Sequence, residues 1–149
     1  MTTIAWDGKV LAGDRKCVWG DEAVRTRKVF KLRLQHGENC PESWLTRLLI
    51  GFSGRSEDKV SVLYWLKHPG TKPQPHDSFW MIAIDCRGRL WSLQEKLIWV
   101  RIKANKWAIG TGGDYAMGAM ASGKSAVEAV RIAIKLDNSS GFGVDTVRF

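Results

Sequence analysis

The feature that most constrains this chain is a tight turn near its start. Two apolar runs, "TTIAW" and "KVLAGD", flank Asp7-Gly8. That pair is favoured in a two-residue type I′ turn, where both central residues take positive φ. Two runs closed by such a turn form an antiparallel hairpin. The same grammar returns at "SFWMIAID" and "RLWSLQ", joined through "CRG". Further strand-like runs are "RKVFKLRLQ", "SWLTRLLIGFSG", "EKLIWVRIKA" and "KWAIGTGG", and "NSSGFGVDTVRF" supplies a turn and a final strand.

Helical periods interrupt the strands. In "SEDKVSVLYWLKH", Val60, Leu63, Tyr64 and Lys67 fall at i, i+3, i+4 and i+7, and Ser56, Glu57 and Asp58 suit a helix start. "DYAMGAMASG" is rich in small residues and predicts a tightly packed helix with Gly123 as its C-cap. "SAVEAVRIAIKLD" predicts another, opened by a Ser125–Glu128 capping box and apolar along Val127, Val130 and Ile134. "PGTKPQPHD" is a loop. Strand pairs, helix, strand pairs, helix pair and strand give an antiparallel α+β protein without repeating βαβ units. With no internal repeat and no linker, residues 1–149 form one domain.

"GAMASGKS", Gly118–Ser125, has the G-x-x-x-x-G-K-S spacing of a phosphate-binding loop. That loop needs a strand before it and free backbone N–H groups converging on the phosphate. Here Gly118 lies within a helical pattern and Gly123-Lys124 separates two helices, so no phosphate cradle is expected.

The net charge of +8 permits binding to polyanions. The basic residues are dispersed and mostly alternate with apolar ones, as on the wet faces of strands. Most of the eight tryptophans sit within apolar patterns, which assigns them to core or subunit interface. Cys17, Cys40 and Cys86 form no CxxC pair and His36, His68 and His76 add no ligand spacing, so reduced, at least half-buried thiols and no metal are expected. No cofactor is implied. No apolar run approaches the ~20 residues that span a bilayer. The N-terminal residues lack a signal-peptide pattern, which makes the cytoplasm the expected compartment.

"TTIA…LAGD", "RKVFKL", "GFSG", "AIGTGGDYA" and "KLDNSSG" come in an order that resembles the proteasome β-subunit family, especially bacterial HslV and its short phage- or prophage-type relatives. The resemblance spans nearly the whole chain. It implies a four-layer α-β-β-α sandwich of two antiparallel sheets, the fold of N-terminal-nucleophile hydrolases. It also implies a threonine peptidase in which Thr2, exposed by removal of Met1, is the nucleophile and its own α-amine the base. With Met1 retained, Thr2 has no free amine and this chemistry is closed. By position, Lys28 matches the lysine that keeps the amine unprotonated, and Asp14 the acid that holds that lysine. Gly54 matches the oxyanion donor. Thr111 replaces the family's serine, and Asp137 with Ser140 matches the pair that positions the amine and its water. Cys17, Thr26, Phe52 and Ser56 match the walls of the pocket for the residue before the cut, a mostly apolar lining that suits neutral side chains.

The chain departs from the family pattern in two places. The connection between its first strands is shorter than in HslV. After the Gly-rich turn it has one helix and a proline-rich loop where the family has two helices. The thinned layer is expected to leave sheet surface for a partner subunit or for tryptophans such as Trp65 and Trp80 to cover. The resemblance further implies a homo-oligomer, peptide or unfolded-protein substrates, and an ATP-dependent unfoldase acting in trans. Two other readings stay open. One is a catalytically silent protein on this fold, a binding or modulator protein encoded by a phage. The other is nucleic-acid binding, which needs the basic residues gathered on one face.

Overall fold

Alternating strands become two antiparallel sheets in the computed structural model, which describes residues 2–149. Strands β1 (Ile4–Trp6) and β2 (Leu11–Asp14) form the expected hairpin, with Ala5 opposite Ala12. The Asp7 N–H, however, closes the turn on the Val10 carbonyl at 3.3 Å, so its central pair is Gly8-Lys9 and, of Asp7 and Gly8, only Gly8 has positive φ, at +95°. Asp7 accepts the N–H groups of Lys9 and Val10 at 2.9 and 2.8 Å, which fixes the turn. β10 (Trp107–Ile109) and β11 (Val144–Val147) flank this hairpin to give the order β10-β1-β2-β11. β5 (Val29–Arg33), β6 (Arg47–Ser53), β7 (Trp80–Asp85), β8 (Leu90–Gln94) and β9 (Trp99–Ile102) form the second sheet in sequential order. A separate hairpin, β3 (Lys16–Trp19) with β4 (Glu22–Arg25), was not legible as strands in its charged sequence.

The period of two sorts the side chains of each strand between two cores. Ile4, Trp6 and Leu11 from one sheet meet Val29, Leu49, Ile82, Ile84 and Leu90 from the other. Opposite faces carry the helices. α2 (Gly113–Ala121) and α3 (Ala126–Leu136) lie on the first sheet, where Ala5, Ala12 and Ala108 face Ala116, Ala126, Ala129 and Ala133. Small side chains on both surfaces let helix and sheet backbones approach closely. On the far side, α1 (Ser56–Lys67) covers the second sheet through Val62, Trp65 and Leu66. The layers therefore run α-β-β-α, the sandwich expected from the sequence.

Several local expectations shift. α1 buries Val62, Trp65 and Leu66, while Val60 and Tyr64 are 63% and 65% exposed, so the apolar face is rotated from the one inferred. Its N-cap is Arg55, with no side-chain cap, and Ser56 is its first residue. α2 ends at Ala121 with Ser122 as its C-cap, and Gly123, at φ +97°, follows the cap. α3 has the capping box, but its buried face is alanine-rich, with Val130 the one larger buried side chain and Val127 and Ile134 only partly buried. Cys86 is exposed, against the expectation of a buried or half-buried thiol, and burial pushes the Cys40 thiol up to about 11. Gly118 is helical, and the N–H groups of Ser122, Gly123 and Lys124 return to α2 carbonyls, so no phosphate cradle forms there. Among the described residues, no helix is long and apolar enough to cross a membrane.

The thinned α1 layer is closed differently from the inferred manner. Trp65 does pack in this core, but Trp80 faces the space between the sheets. Trp91 and Trp99 pack against the α1 side, and the segment before β6 folds over them. Asn39 ties that segment down: its side chain donates to the Trp65 carbonyl and its carbonyl accepts the Trp99 indole N–H, both at 2.7 Å. Alongside runs a ladder of Arg87, Trp44, Arg89, Trp91 and Arg101, each guanidinium 4.6–5.6 Å from the neighbouring ring centre.

Asp85, at the end of β7, anchors the ladder. Its fully buried carboxylate accepts the backbone N–H groups of Arg87 and Arg89, the Arg89 Nε and the Trp91 Nε1 at 2.7–3.1 Å. Arg89 reaches on to both oxygens of Glu42 at 2.9 and 3.0 Å. Burial by itself would raise the Asp85 pKa, but these donors outweigh it and hold the carboxyl below its ordinary value. A depressed folded-state pKa stabilises the fold above the unfolded value of about 3.9, and that contribution is lost as pH falls through the folded value. Asp85→Asn is therefore expected to cost about 2 kcal/mol or more at neutral pH. Chemical denaturation of both proteins should show the gap closing as pH falls below ~4.

Candidate functional site

Two carboxylates organise the residues singled out from the sequence. Asp14 ends β2 at 0% exposure. Its Oδ1 accepts Lys28 Nζ at 3.0 Å and the Thr3 N–H at 2.9 Å; its Oδ2 accepts the N–H groups of Lys16 and Gly141 at 3.1 and 3.0 Å. The strand ladder places these donors. Thr3 leads into β1, Lys16 opens β3, Lys28 immediately precedes β5, and Gly141 lies in the turn before β11. Lys28 is itself buried. Desolvation lowers its pKa, against the upward pull of Asp14 and weaker pulls from Cys17 and Asp137.

The second carboxylate, Asp137, caps α3. Its Oδ2 accepts the hydroxyls of Thr111 and Ser140, both at 2.7 Å, and its Oδ1 accepts the Ser139 N–H at 3.1 Å. Burial would raise its pKa, but these hydrogen bonds outweigh that and hold it below the ordinary value. Thr111 Oγ1 in turn accepts the Thr2 N–H at 3.2 Å. Ser140 Oγ shares a 2.7 Å hydrogen bond with Thr3 Oγ1. A continuous chain of polar groups thus runs from the Thr2 nitrogen through Thr111, Asp137, Ser140 and Thr3 to Asp14 and Lys28.

Glycines make room for this chain of contacts. Gly110 sits at φ +93°, and a Cβ there would run into the Thr2 carbonyl. A Cβ at Gly112 would run into Thr3 Oγ1, and the Gly112 N–H donates to the Thr2 carbonyl at 3.2 Å. The "GTGG" turn therefore has to be glycine-rich to lie against the start of β1.

Thr2 is buried to 4% exposure beside an open cleft of about 380 Å³. Gly54 and Thr111 line this cleft with Ser53, Ser78, Trp80 and Gly110. Met1, whose removal the nucleophile role requires, lies outside the described residues.

The four residues assigned to the specificity pocket are only partly brought together. Cys17 Sγ and Ser56 Oγ are 3.9 Å apart. Phe52 donates its N–H to the Lys28 carbonyl at 3.2 Å, and its ring stacks on Phe30 with centres 6.4 Å apart. Thr26 is half-buried at the base of the β3–β4 hairpin, its N–H on the Arg15 carbonyl at 2.8 Å. Sequence reasoning missed Thr3, Trp80 and Lys59. Nothing in the sequence marks Thr3 apart from an ordinary strand threonine, and Trp80 reads as one more apolar strand residue. Lys59 is three residues after Ser56, and that spacing was the available signal that both share a helix face. Among the described residues, no group of three or more His, Cys, Asp or Glu is placed to hold a metal ion.

No family model matches the chain, and no curated protein matches it by sequence. Solved structures do match along its full length. BPH of Thiobacillus denitrificans aligns with TM-score 0.69 at 14% identity, over 99% of this chain and 96% of that one. BPH has also been solved in complex with epoxomicin. HslV from Trypanosoma brucei aligns with TM-score 0.64 at 16% identity, over 98% and 97% of the two chains. Anbu from Pseudomonas aeruginosa, solved as a helical assembly, aligns with TM-score 0.68 at 13% identity, over 100% of this chain and 81% of that one. At these identities the likeness establishes the architecture and leaves the chemistry to be argued from the site. This chain has the proteasome-subunit fold of HslV and Anbu.

Proposed function

We propose that this protein is a threonine-type peptidase whose nucleophile is Thr2 after removal of Met1. The observation that carries this reading is the continuous chain of contacts from the Thr2 nitrogen through Thr111 and Asp137 to the buried Asp14–Lys28 pair. Once freed, the Thr2 nitrogen is an α-amine with an ordinary pKa of about 7.7–8.0, close to neutrality. A cationic lysine beside it disfavours a second positive charge and keeps it available as a base. Asp14 maintains that lysine, while Thr111 and Asp137 orient the amine.

In the proposed reaction, Thr2 Oγ1 attacks the peptide carbonyl carbon as its proton passes to the α-amine. The Gly54 N–H and Lys28 balance the oxyanion. The tetrahedral intermediate collapses, the C–N bond breaks, and the amine's proton leaves with the departing peptide. Water, activated by the same amine, then hydrolyses the ester and regenerates Thr2. The substrates proposed are peptides or unfolded proteins, delivered in the larger case by an ATP-dependent unfoldase acting in trans.

Homo-oligomerisation is part of the same reading. The edge of the sandwich between β9 and β10 carries an apolar cleft of about 390 Å³, lined in part by Trp80, Trp107, Ile98 and Val100. Ile98 and Val100 are exposed. The helical Anbu assembly supports association of this fold with itself. Light scattering at micromolar concentration and moderate salt is expected to give a multiple of 16.8 kDa; a monomer mass would remove this part of the proposal.

On protein whose free Thr2 is confirmed by mass, Thr2→Ala is expected to abolish hydrolysis of small peptide amides and labelling by an epoxyketone, while Thr2→Ser retains part of both. Lys28→Ala should be nearly as damaging, and Thr2→Ala/Lys28→Ala little worse than either alone, because the groups act as one unit. Full activity of Thr2→Ala would rule out Thr2 as the nucleophile, and a processed wild type that is neither active nor labelled would favour a silent protein that keeps the fold for binding. Retention of Met1 in protein purified from its native host would do the same.

Asp14→Asn separates support from chemistry. It removes the counter-charge from a buried lysine, a change that costs about 3–5 kcal/mol in comparable buried pairs. Denaturant titration is expected to show a loss of that order alongside the loss of activity. Unchanged stability would mean that Asp14 does not hold Lys28.

A further inference from the structure

The assignment of Cys17, Thr26, Phe52 and Ser56 to the pocket omitted a neighbouring cation, Lys59. Ser56 and Lys59 stand at i and i+3 on α1 and so share a helix face. Lys59 reaches over the two stacked phenylalanines, its Nζ 4.7 Å from the Phe52 ring centre and 5.2 Å from that of Phe30. Lys59 is half-buried. Desolvation lowers its pKa, and Cys17 is the group pulling the other way.

Among the described residues, no carboxylate lies within ion-pair distance of Lys59. Asp58, the adjacent acid, accepts the His76 N–H at 3.1 Å instead, and Glu57 is exposed. A partly desolvated cation resting on aromatic faces is therefore short of its best counter-ion, which a bound carboxylate would supply.

Lys59 also adjoins the candidate site. Cys17 is a shared neighbour of Lys28 and Lys59, and its Sγ lies 3.9 Å from Ser56 Oγ. Phe52, beneath the Lys59 ammonium, hydrogen-bonds through its backbone to the Lys28 carbonyl. Lys59 thus stands among three of the four residues assigned to the pocket, Cys17, Phe52 and Ser56, of which Phe52 is tied through its backbone to Lys28. We propose that Lys59 is the specificity-determining residue of this pocket and selects glutamate or aspartate immediately before the cut bond. This replaces the neutral preference expected from the four lining residues alone, and it rests on the peptidase reading above.

The test uses processed protein with Thr2 confirmed as its first residue. Two fluorogenic peptide amides differ only in having Glu or Leu before the leaving group. The wild type is expected to favour Glu in kcat/KM by about tenfold or more at low salt, mostly through KM, with the preference shrinking as salt screens the charge. Lys59→Met should lower kcat/KM for the Glu peptide and raise it for the Leu peptide, reversing the order. Lys59→Arg should keep the Glu preference. A wild type that favours Leu, or a Glu preference that survives in Lys59→Met, overturns this inference and leaves the peptidase reading intact. Hydrolysis of neither peptide, with no epoxyketone labelling, overturns both.

Discussion

The buried ion pair between Asp14 and Lys28 is the constraint around which the rest of this structure is arranged. A carboxylate fully removed from water is unstable unless its lone pairs are met. Asp14 meets that demand with four donors, drawn from the starts of β1 and β3, the residue before β5 and the turn before β11. No single local segment can supply them. The first hairpin, the second sheet and the chain's last turn must all be in register before the pair is satisfied. Because Thr3 is one of those donors, the same contact fixes where Thr2 lies.

Asp85 repeats this logic at a place that serves packing. Its donors come from a tight turn and the strand that follows, so it is satisfied mainly by local chain. Through Arg89 and Glu42 it then fastens the segment that folds over the thinned α1 layer. The Arg–Trp ladder gathers several of the basic residues on the outer face of the second sheet, where they stack on indoles. Asp14 joins distant segments around a candidate site, whereas Asp85 closes a surface.

The alanine-rich interface beneath α2 and α3 contributes to the site in a different way. Close packing on the first sheet sets the height of both helices above it. The turn before α2 carries Thr111, and the C-cap of α3 is Asp137. Their 2.7 Å hydrogen bond therefore depends on side-chain volume at Ala5, Ala12 and Ala133 as well as on the polar groups themselves.

The sequence by itself determined the antiparallel α+β class, because strand pairing is written locally, and carried the two-sheet sandwich only through its resemblance to a known family. Gly8 turns the first hairpin, apolar runs of strand length mark the sheet strands, and Ser125 with Glu128 starts α3. It also carried the residues that meet around Asp14 and Asp137, though only through the order of short motifs; their catalytic part is a proposal. Tertiary structure decided what period and propensity leave degenerate. The face of α1 that is buried depends on how the sheet presents its ridge, so Val62 won over Val60. The charged β3–β4 hairpin has no buried face to mark it. Trp80 was turned inward by the register of β7. Lys59 lies over Phe30 and Phe52, rings from two neighbouring strands, because α1 sets it there. A side chain's chemical surroundings come from segments far away in the chain, and no local pattern encodes them.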